Sequence, residues 1–204
     1  MKKSKLIFSI FSIVCLILFG QAIKTDNTTM SNSFLDNTVA FDNETPPRIS
    51  IEHITFEIPY VNSSFKPYMD YRCVTDKNSS QYKFIKKWGW SDSEGFMRCD
   101  AEKDLGIADN YYLVALGSYY GTSIGTKYRI TLDTGRVFYV VLADCKSNLH
   151  TNSTNQYGRN NNIVEFLVDT KRLNKDVKYH GSANVYMPLN GSVSKIERID
   201  FIME

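Results

Sequence analysis

Apolar, β-branched and aromatic residues dominate the stretch from Tyr111 to Asp169, and short polar segments interrupt them. Four apolar runs follow one another: YYLVALGS, IGTKYRITL, VFYVVLADC and NNIVEFLVD. Gly, Asp and Asn residues stand between the runs, as in the segment DTGR. This pattern predicts four successive strands that are joined by tight turns.

The residues before this stretch predict further strands and one helix. The segment ISIEHITFEI, residues 49–58, predicts a strand with an irregularity, because its apolar positions change phase after His53. The segment FKPYMDYRCVT is predicted to be extended. Asn78, Ser79 and Ser80 are suited to cap a short helix over QYKFIKKW, and WSDSEGFMRC predicts a hairpin.

The carboxy-terminal residues predict a short turn from Leu173 to Val177, followed by a closing strand over VSKIERIDFI. The chain thus has seven or eight predicted strands and few helices. A closed β-barrel is favoured over a two-layer sandwich, because a barrel leaves no exposed strand edges. The expected fold is a mainly β, barrel-like single domain with a short helix and an amino-terminal strand extension.

The amino terminus differs from the rest of the 204-residue chain. Three lysines precede an apolar run, and Gly20-Gln21-Ala22 offers a cleavage site, which predicts a signal peptide or anchor in residues 1–22. Residues 23–48 are polar and predict a flexible linker. Residues 49–204 would form the β-barrel domain, with its core at about 110–204. We expect a secreted or cell-envelope protein whose only membrane contact is an uncleaved amino-terminal segment.

The charge balance argues against two classes of partner. Removal of residues 1–22 takes away three lysines and no acidic residue, which leaves 21 basic and 22 acidic side chains. A near-neutral protein gives no electrostatic case for binding nucleic acid or an anionic membrane surface. Lys83, Lys86 and Lys87 are interpreted as the solvated face of the predicted helix.

Three cysteines remain outside the predicted signal segment. In an oxidising compartment Cys73 and Cys99 would close a loop of about 25 residues, which is worth roughly 3 kcal/mol on the chain-entropy model. Cys145 is then left without a partner. It is interpreted either as a small, half-buried residue at a strand end or as a thiol nucleophile with His150 as its base.

Polar side chains gather where two of the predicted strands end. Asp144 and Lys146 follow VFYVVLA, His150 and Thr151 come shortly afterwards, and Glu165 and Asp169 accompany the last strand of the stretch. Asp144 ends the most apolar strand, and burial raises the pKa of a carboxyl group. We expect Asp144, His150 and Asp169 to converge on one groove, with Lys146 and Glu165 nearby.

The order VALGS, IGTKYRI, a glycine turn, VVLADCK and VEFLVD resembles the 3D domain, a family named for three aspartates. That family shares a double-psi β-barrel with the catalytic domain of the membrane-bound lytic transglycosylase A group. Asp144 and Asp169 match two of the aspartates, and Gly117 stands where the first would be. From Phe65 onward the chain also resembles uncharacterised exported or phage-borne proteins of low-GC Gram-positive bacteria.

The resemblance implies a peptidoglycan lytic transglycosylase that acts on cell-wall glycan without a cofactor. Asp144 would be the general acid and base, and Asp169 or Glu165 would stabilise developing charge. Lys127 or Lys146 would bind a carboxylate of the substrate, while His150 and Thr151 would add polar groups to the same cleft.

Other functions stay open at this stage. One is the thiol chemistry of Cys145, and another is zinc binding by Asp144, His150 and Asp169. A third is a non-catalytic β-barrel module that binds glycan or another wall component through its many tyrosines and asparagines.

Overall fold

The computed structural model describes residues 49–101 and 107–203; the predicted signal segment, 1–22, and linker, 23–48, lie outside these residues. The described residues form nine strands and two α-helices. The strands are β1 (Ile49–Phe56), β2 (Tyr68–Asp70), β3 (Trp90–Ser91), β4 (Met97–Asp100), β5 (Asn110–Leu116), β6 (Lys127–Leu132), β7 (Val137–Cys145), β8 (Glu165–Val168) and β9 (Val193–Met203), and the helices are α1 (Ser80–Trp88) and α2 (Lys175–His180). The predicted mainly β class is confirmed. No helix in these ranges has the length and apolar character needed to span a bilayer.

All nine strands belong to one mixed sheet, which is not closed in the part that the structure describes. Its main order is β1-β9-β6-β7-β5-β4-β3, while β8 pairs with β5 and β2 pairs with β8. The sheet divides at β5: Asn110–Tyr112 pair with β4, whereas Val114 and Ala115 pair with β8. Strands β1, β3 and β4, expected as an extension beside a barrel, are therefore part of the sheet itself.

Strand β5 is buried on both faces, which explains why its sequence is apolar throughout. On the edge opposite β4 and β8, β5 pairs with β7, which runs parallel to it. Alternate β5 side chains join two separate apolar clusters: Tyr112, Val114 and Leu116 in the first, and Tyr111, Leu113 and Ala115 in the second. The first cluster contains an edge-to-face set of rings that includes Phe96, Tyr112 and Phe166, with centroids 5.4–5.5 Å apart.

Strands β1 and β9 differ from the prediction in one respect each. The expected irregularity in β1 is wrong, because Ile49–Phe56 pair with Met203–Ile196 of β9 without any shift in register. Both faces of β1 are largely exposed, so its sequence does not need a strict alternation of apolar and polar residues. The predicted closing strand β9 lies between β1 and β6, and its Ile196 and Ile199, three residues apart, serve opposite faces of the sheet.

One helix is confirmed and one was missed. The side chain of Ser79 accepts a hydrogen bond from the Tyr82 amide at the start of α1, as the predicted cap requires. The segment expected to be only a turn continues into α2, because the side chain of Asn174 caps it by accepting from two backbone amides. Val177 anchors α2 in the core.

The side chain of Lys66 is fully buried beside the start of β9. Its ammonium group donates to the carbonyl oxygen of Gly191 and lies 3.4 Å from both Ser64 O and Asn184 Oδ1. The Ser63 hydroxyl donates to Val193 O at 3.1 Å, and the Ala183 amide donates to Lys66 O at 2.8 Å. This segment therefore connects the β2 side of the sheet to β9 without a strand ladder.

Replacement of Lys66 by methionine should change how stability depends on pH. Burial lowers the pKa of Lys66 to about 8, although the charge of Asp133 opposes this effect. Between about pH 8 and 10.5 the unfolded lysine binds more protons than the folded one, so Lys66 adds stability as the pH rises. We expect the unfolding free energy of wild type relative to Lys66→Met to increase by on the order of 3 kcal/mol over this range. Urea denaturation at pH 7, 8, 9 and 10 measures it, and a constant difference would contradict the prediction.

Candidate functional site

Asp144, Ala115 and Glu165 lie side by side on three neighbouring strands, and we call this set the carboxyl row. Ala115 pairs with Asp144 of β7 on one side and with Glu165 of β8 on the other. Strand spacing then puts the Cα atoms of the two acidic residues about 10 Å apart. The methyl group of Ala115 is the only side chain of the row between the two carboxyl groups, so their charges interact.

Asp144 is half-buried at the α1 side of the row. Its Oδ1 accepts a hydrogen bond from the Cys145 amide at 2.8 Å, and the side chain of Gln81 also hydrogen-bonds to the carboxylate. Burial nevertheless dominates and raises the pKa of Asp144. The sequence predicted that burial would raise the pKa of Asp144, and burial is the main cause of the increase.

Glu165 lies at the other end of the row, where it interacts with Lys146. Burial raises the pKa of Glu165, the charge of Lys146 opposes this increase, and the charge of Asp144 adds a smaller increase. Burial lowers the pKa of Lys146 to about 8, against the effect of Glu165. The Lys146 ammonium group donates to Asn162 O at 3.0 Å and to Asn162 Oδ1. Each group is thus shifted towards its neutral form.

A pocket of about 240 Å³ opens beside Glu165. Its lining is polar and includes Lys146, His150, Arg159, Asn160 and Asn162 in addition to Glu165. The predicted Lys146, His150 and Glu165 therefore come together. Asp144 is not in the lining, but its charge raises the pKa of Glu165, which is.

The predicted convergence of Asp144, His150 and Asp169 on one groove is wrong, because only His150 of the three lines the pocket. Asp169 follows the far end of β8, about 13 Å along the chain from Glu165. Its Oδ1 accepts from Arg72 Nη2 at 3.2 Å and from the Lys171 amide at 3.1 Å. Arg72 also binds Asp70 at 2.6 Å, so this group connects β2 to the end of β8.

Lys127 and Thr151 also lie outside the pocket lining. The ammonium group of Lys127 lies 5.4 Å from the ring centroid of Tyr111 and 4.9 Å from that of Phe201. The Thr151 hydroxyl lies 2.7 Å from Asn155 Oδ1 and 3.1 Å from Asn148 O. Thr151 therefore holds the loop that follows β7.

Cys73, Cys99 and Cys145, the cysteines of the described residues, are free, so the predicted disulfide between Cys73 and Cys99 is not formed. Cys99 is buried in the second cluster, whereas Cys73 is exposed on the turn after β2. Cys145 packs against the first cluster, on the opposite face from Ala115 and the carboxyl row. Burial and the charge of Asp144 raise the pKa of Cys145, which disfavours the thiolate that a nucleophile needs.

The alternative of a zinc site on Asp144, His150 and Asp169 has no support in the structure. Within residues 49–101 and 107–203, no three His, Cys, Asp or Glu side chains are grouped so that they could hold a metal ion.

Five residues of the site were not predicted from the sequence: Gln81, Ala115, Arg159, Asn160 and Asn162. Ala115 carried a signal, because it is the one small residue in an otherwise bulky strand. Arg159 and Asn162 belong to the polar loop between β7 and β8, and no local pattern separates them from their neighbours. Gln81 reaches Asp144 only through the packing of α1 on β7.

Comparison of the chain with protein-family models, with curated proteins and with solved structures finds no match. The resemblance to the 3D domain and to the lytic transglycosylase fold therefore stays a prediction.

Substitution of Glu165 by glutamine should stabilise the protein near neutral pH. A carboxyl group whose pKa is raised on folding contributes stability at low pH, and this contribution is lost as the pH rises through the raised pKa. Glutamine does not ionise and avoids that loss. We expect Glu165→Gln to have a higher unfolding free energy than wild type at pH 7 and the same value at pH 3.5.

The exposed Glu52 of β1 provides the control, since Glu52→Gln should change stability at neither pH. Urea denaturation of the three proteins at both pH values measures the effect. An equal or lower stability of Glu165→Gln at pH 7 would contradict the assigned burial of this carboxyl group.

Proposed function

We propose that this protein is an exported, cell-wall-associated protein that cleaves the glycan of peptidoglycan by acid–base catalysis, as a lytic transglycosylase does. One observation carries the proposal: Glu165 lines a polar pocket, and burial raises its pKa. The charge of Lys146 opposes this increase, and the charge of Asp144 adds to it. A carboxyl group with a raised pKa keeps its proton to a higher pH than an ordinary carboxyl group, and protonation of a glycosidic oxygen requires such a proton donor.

Glu165 takes the role of proton donor in this proposal, because it is the carboxyl group of the row that lines the pocket. Its proton passes to the glycosidic oxygen as the bond from that oxygen to the sugar C1 breaks. The sugar's own 6-hydroxyl then attacks C1 and returns its proton to the Glu165 carboxylate. No second carboxylate is needed as a nucleophile, unlike in retaining glycosidases.

Asp144, predicted from the sequence as the general acid, becomes a positioning residue in this account. Burial is the main cause of the raised pKa of Glu165, and the charge of Asp144 adds to it. Gln81 and the Cys145 amide hold the Asp144 carboxylate in place. Lys146, His150 and Arg159 provide hydrogen-bond donors for hydroxyl or carboxylate groups of the glycan. The pocket is smaller than the roughly 300–1,000 Å³ of most ligand sites, so it would hold only part of a glycan chain.

We also propose a relation to the double-psi β-barrel and a location outside the cytoplasm. A relation to the double-psi β-barrel is supported by the parallel pair β5 and β7 in a mixed sheet and by the bridging segment around Lys66. Export is supported by the sequence of residues 1–22.

Digestion of purified peptidoglycan, followed by mass analysis, tests the activity. The wild-type chain should release anhydro-muropeptides, and Glu165→Gln should lower the release by about 10²-fold or more. Asp169→Asn, which alters a strand-end aspartate outside the pocket, should keep most of the activity. Absence of anhydro products from wild type, under conditions where a known lytic enzyme forms them, would contradict the proposal.

The pH profile separates the roles of the two carboxyl groups. Asp144→Asn removes a negative charge and should lower the pKa of Glu165, because that charge raises it. We expect the rate of Asp144→Asn to begin falling at a lower pH than the rate of wild type. Complete loss of activity at every pH would instead assign the proton donor to Asp144.

A non-catalytic module that binds wall glycan is the second candidate. It is favoured by the pocket lining, in which Lys146, His150, Arg159 and Asn160 are hydrogen-bond donors. Glu165 is the only carboxyl group that residues 49–101 and 107–203 contribute to this lining. If wild type releases no product but sediments with purified cell walls, and Arg159→Ala weakens this binding, the module is the correct assignment.

A further inference from the structure

A second pocket, of about 320 Å³, lies between α1 and the turn Tyr71–Cys73. Its main lining residues are Tyr71, Val74, Lys77, Tyr82, Ile85 and Lys86. This volume falls at the lower end of the range for small-molecule sites, and it suits a ligand with a single ring.

The walls of this pocket are aromatic and its floor is apolar. The ammonium group of Lys86 lies 6.0 Å from the ring centroid of Tyr71 and 5.7 Å from that of Tyr82. Attraction between an ammonium group and the faces of aromatic rings stabilises the Lys86 charge beside both walls. Ile85 is only 3% exposed, and it belongs with Val74 to the second apolar cluster.

The charge of the lining is positive. Arg72 also borders the pocket, but Asp70 and Asp169 bind its guanidinium group at 2.6 and 3.2 Å. Lys77 and Lys86 have no carboxylate within ion-pair distance among the described residues. Among the described residues, no acidic side chain lines this pocket. Two ammonium groups therefore border an aromatic and apolar pocket without neutralisation.

We propose that this pocket binds a small anion with a flat or apolar body, such as an aryl phosphate, sulfonate or carboxylate. The ammonium groups of Lys86 and Lys77 contact the anionic group, and the two tyrosine rings enclose the body above the floor of Val74 and Ile85. Charge-assisted contacts and burial of apolar surface act together in such a ligand.

This site is independent of the carboxyl row, although both involve α1. Gln81 hydrogen-bonds to Asp144, whereas the next residue, Tyr82, lines the second pocket. The sequence analysis assigned Lys83, Lys86 and Lys87 together to the solvated face of α1. All three helix lysines are exposed, but Lys86 lines the pocket, whereas Lys83 and Lys87 do not.

Binding of three probes to the full chain, followed by NMR, tests the proposal. Phenyl phosphate carries both the anion and the ring, inorganic phosphate carries only the anion, and phenol carries only the ring. We expect phenyl phosphate to shift the Ile85 methyl and Tyr82 ring signals and to bind roughly tenfold more tightly than either fragment.

Lys86→Met keeps the aliphatic chain and removes the charge, and it should weaken phenyl phosphate binding by roughly tenfold. Lys77→Met should also weaken it, whereas Lys83→Met on the same helix should leave it unchanged. An equal loss in Lys83→Met and Lys86→Met would overturn the proposal. So would phosphate binding as tight as that of phenyl phosphate, or the absence of any shift at Ile85.

Discussion

Burial of β5 on both faces is the constraint on which the rest of the structure depends. Each of its side chains from Tyr111 to Leu116 must pack against one of two apolar clusters, so both faces of the sheet need cover. Backbone pairing must also be satisfied on both edges, and three strands provide it, with β7 on one side and β4 and β8 on the other. Ala115, with which the first residue of β8 pairs, is also the residue that aligns Asp144 with Glu165.

The sequence predicted the strands well and their arrangement poorly, for a physical reason. Periodicity reports which faces of a segment are buried, so the apolar runs of β5 and β7, the capped helix α1 and the hairpin of β3 and β4 were all visible. It carries no information on which strands pair. The division of the sheet at β5 and the buried Lys66 both depend on contacts between residues that are distant in the chain.

The same limit applies to the candidate site. Asp144, Lys146, His150 and Glu165 were found because polar residues at the ends of apolar strands stand out in a sequence. Asp169 met the same criterion, yet its end of β8 points to Arg72 instead of the pocket. The register between strands decides between these outcomes. The sequence marks Ala115 only as a small residue in a bulky strand, and its alignment of Asp144 with Glu165 becomes evident only from the strand pairing.

The central claim is that Asp144 and Glu165 form an interacting carboxyl pair with raised pKa values. A ¹³C NMR titration of both carboxyl carbons, assigned with Asp144→Asn and Glu165→Gln, tests it most directly. We predict midpoints above the ordinary values of 3.8 for aspartate and 4.5 for glutamate, and a lower Glu165 midpoint in Asp144→Asn. Midpoints at the ordinary values, or a Glu165 midpoint that does not respond to Asp144→Asn, would contradict the account.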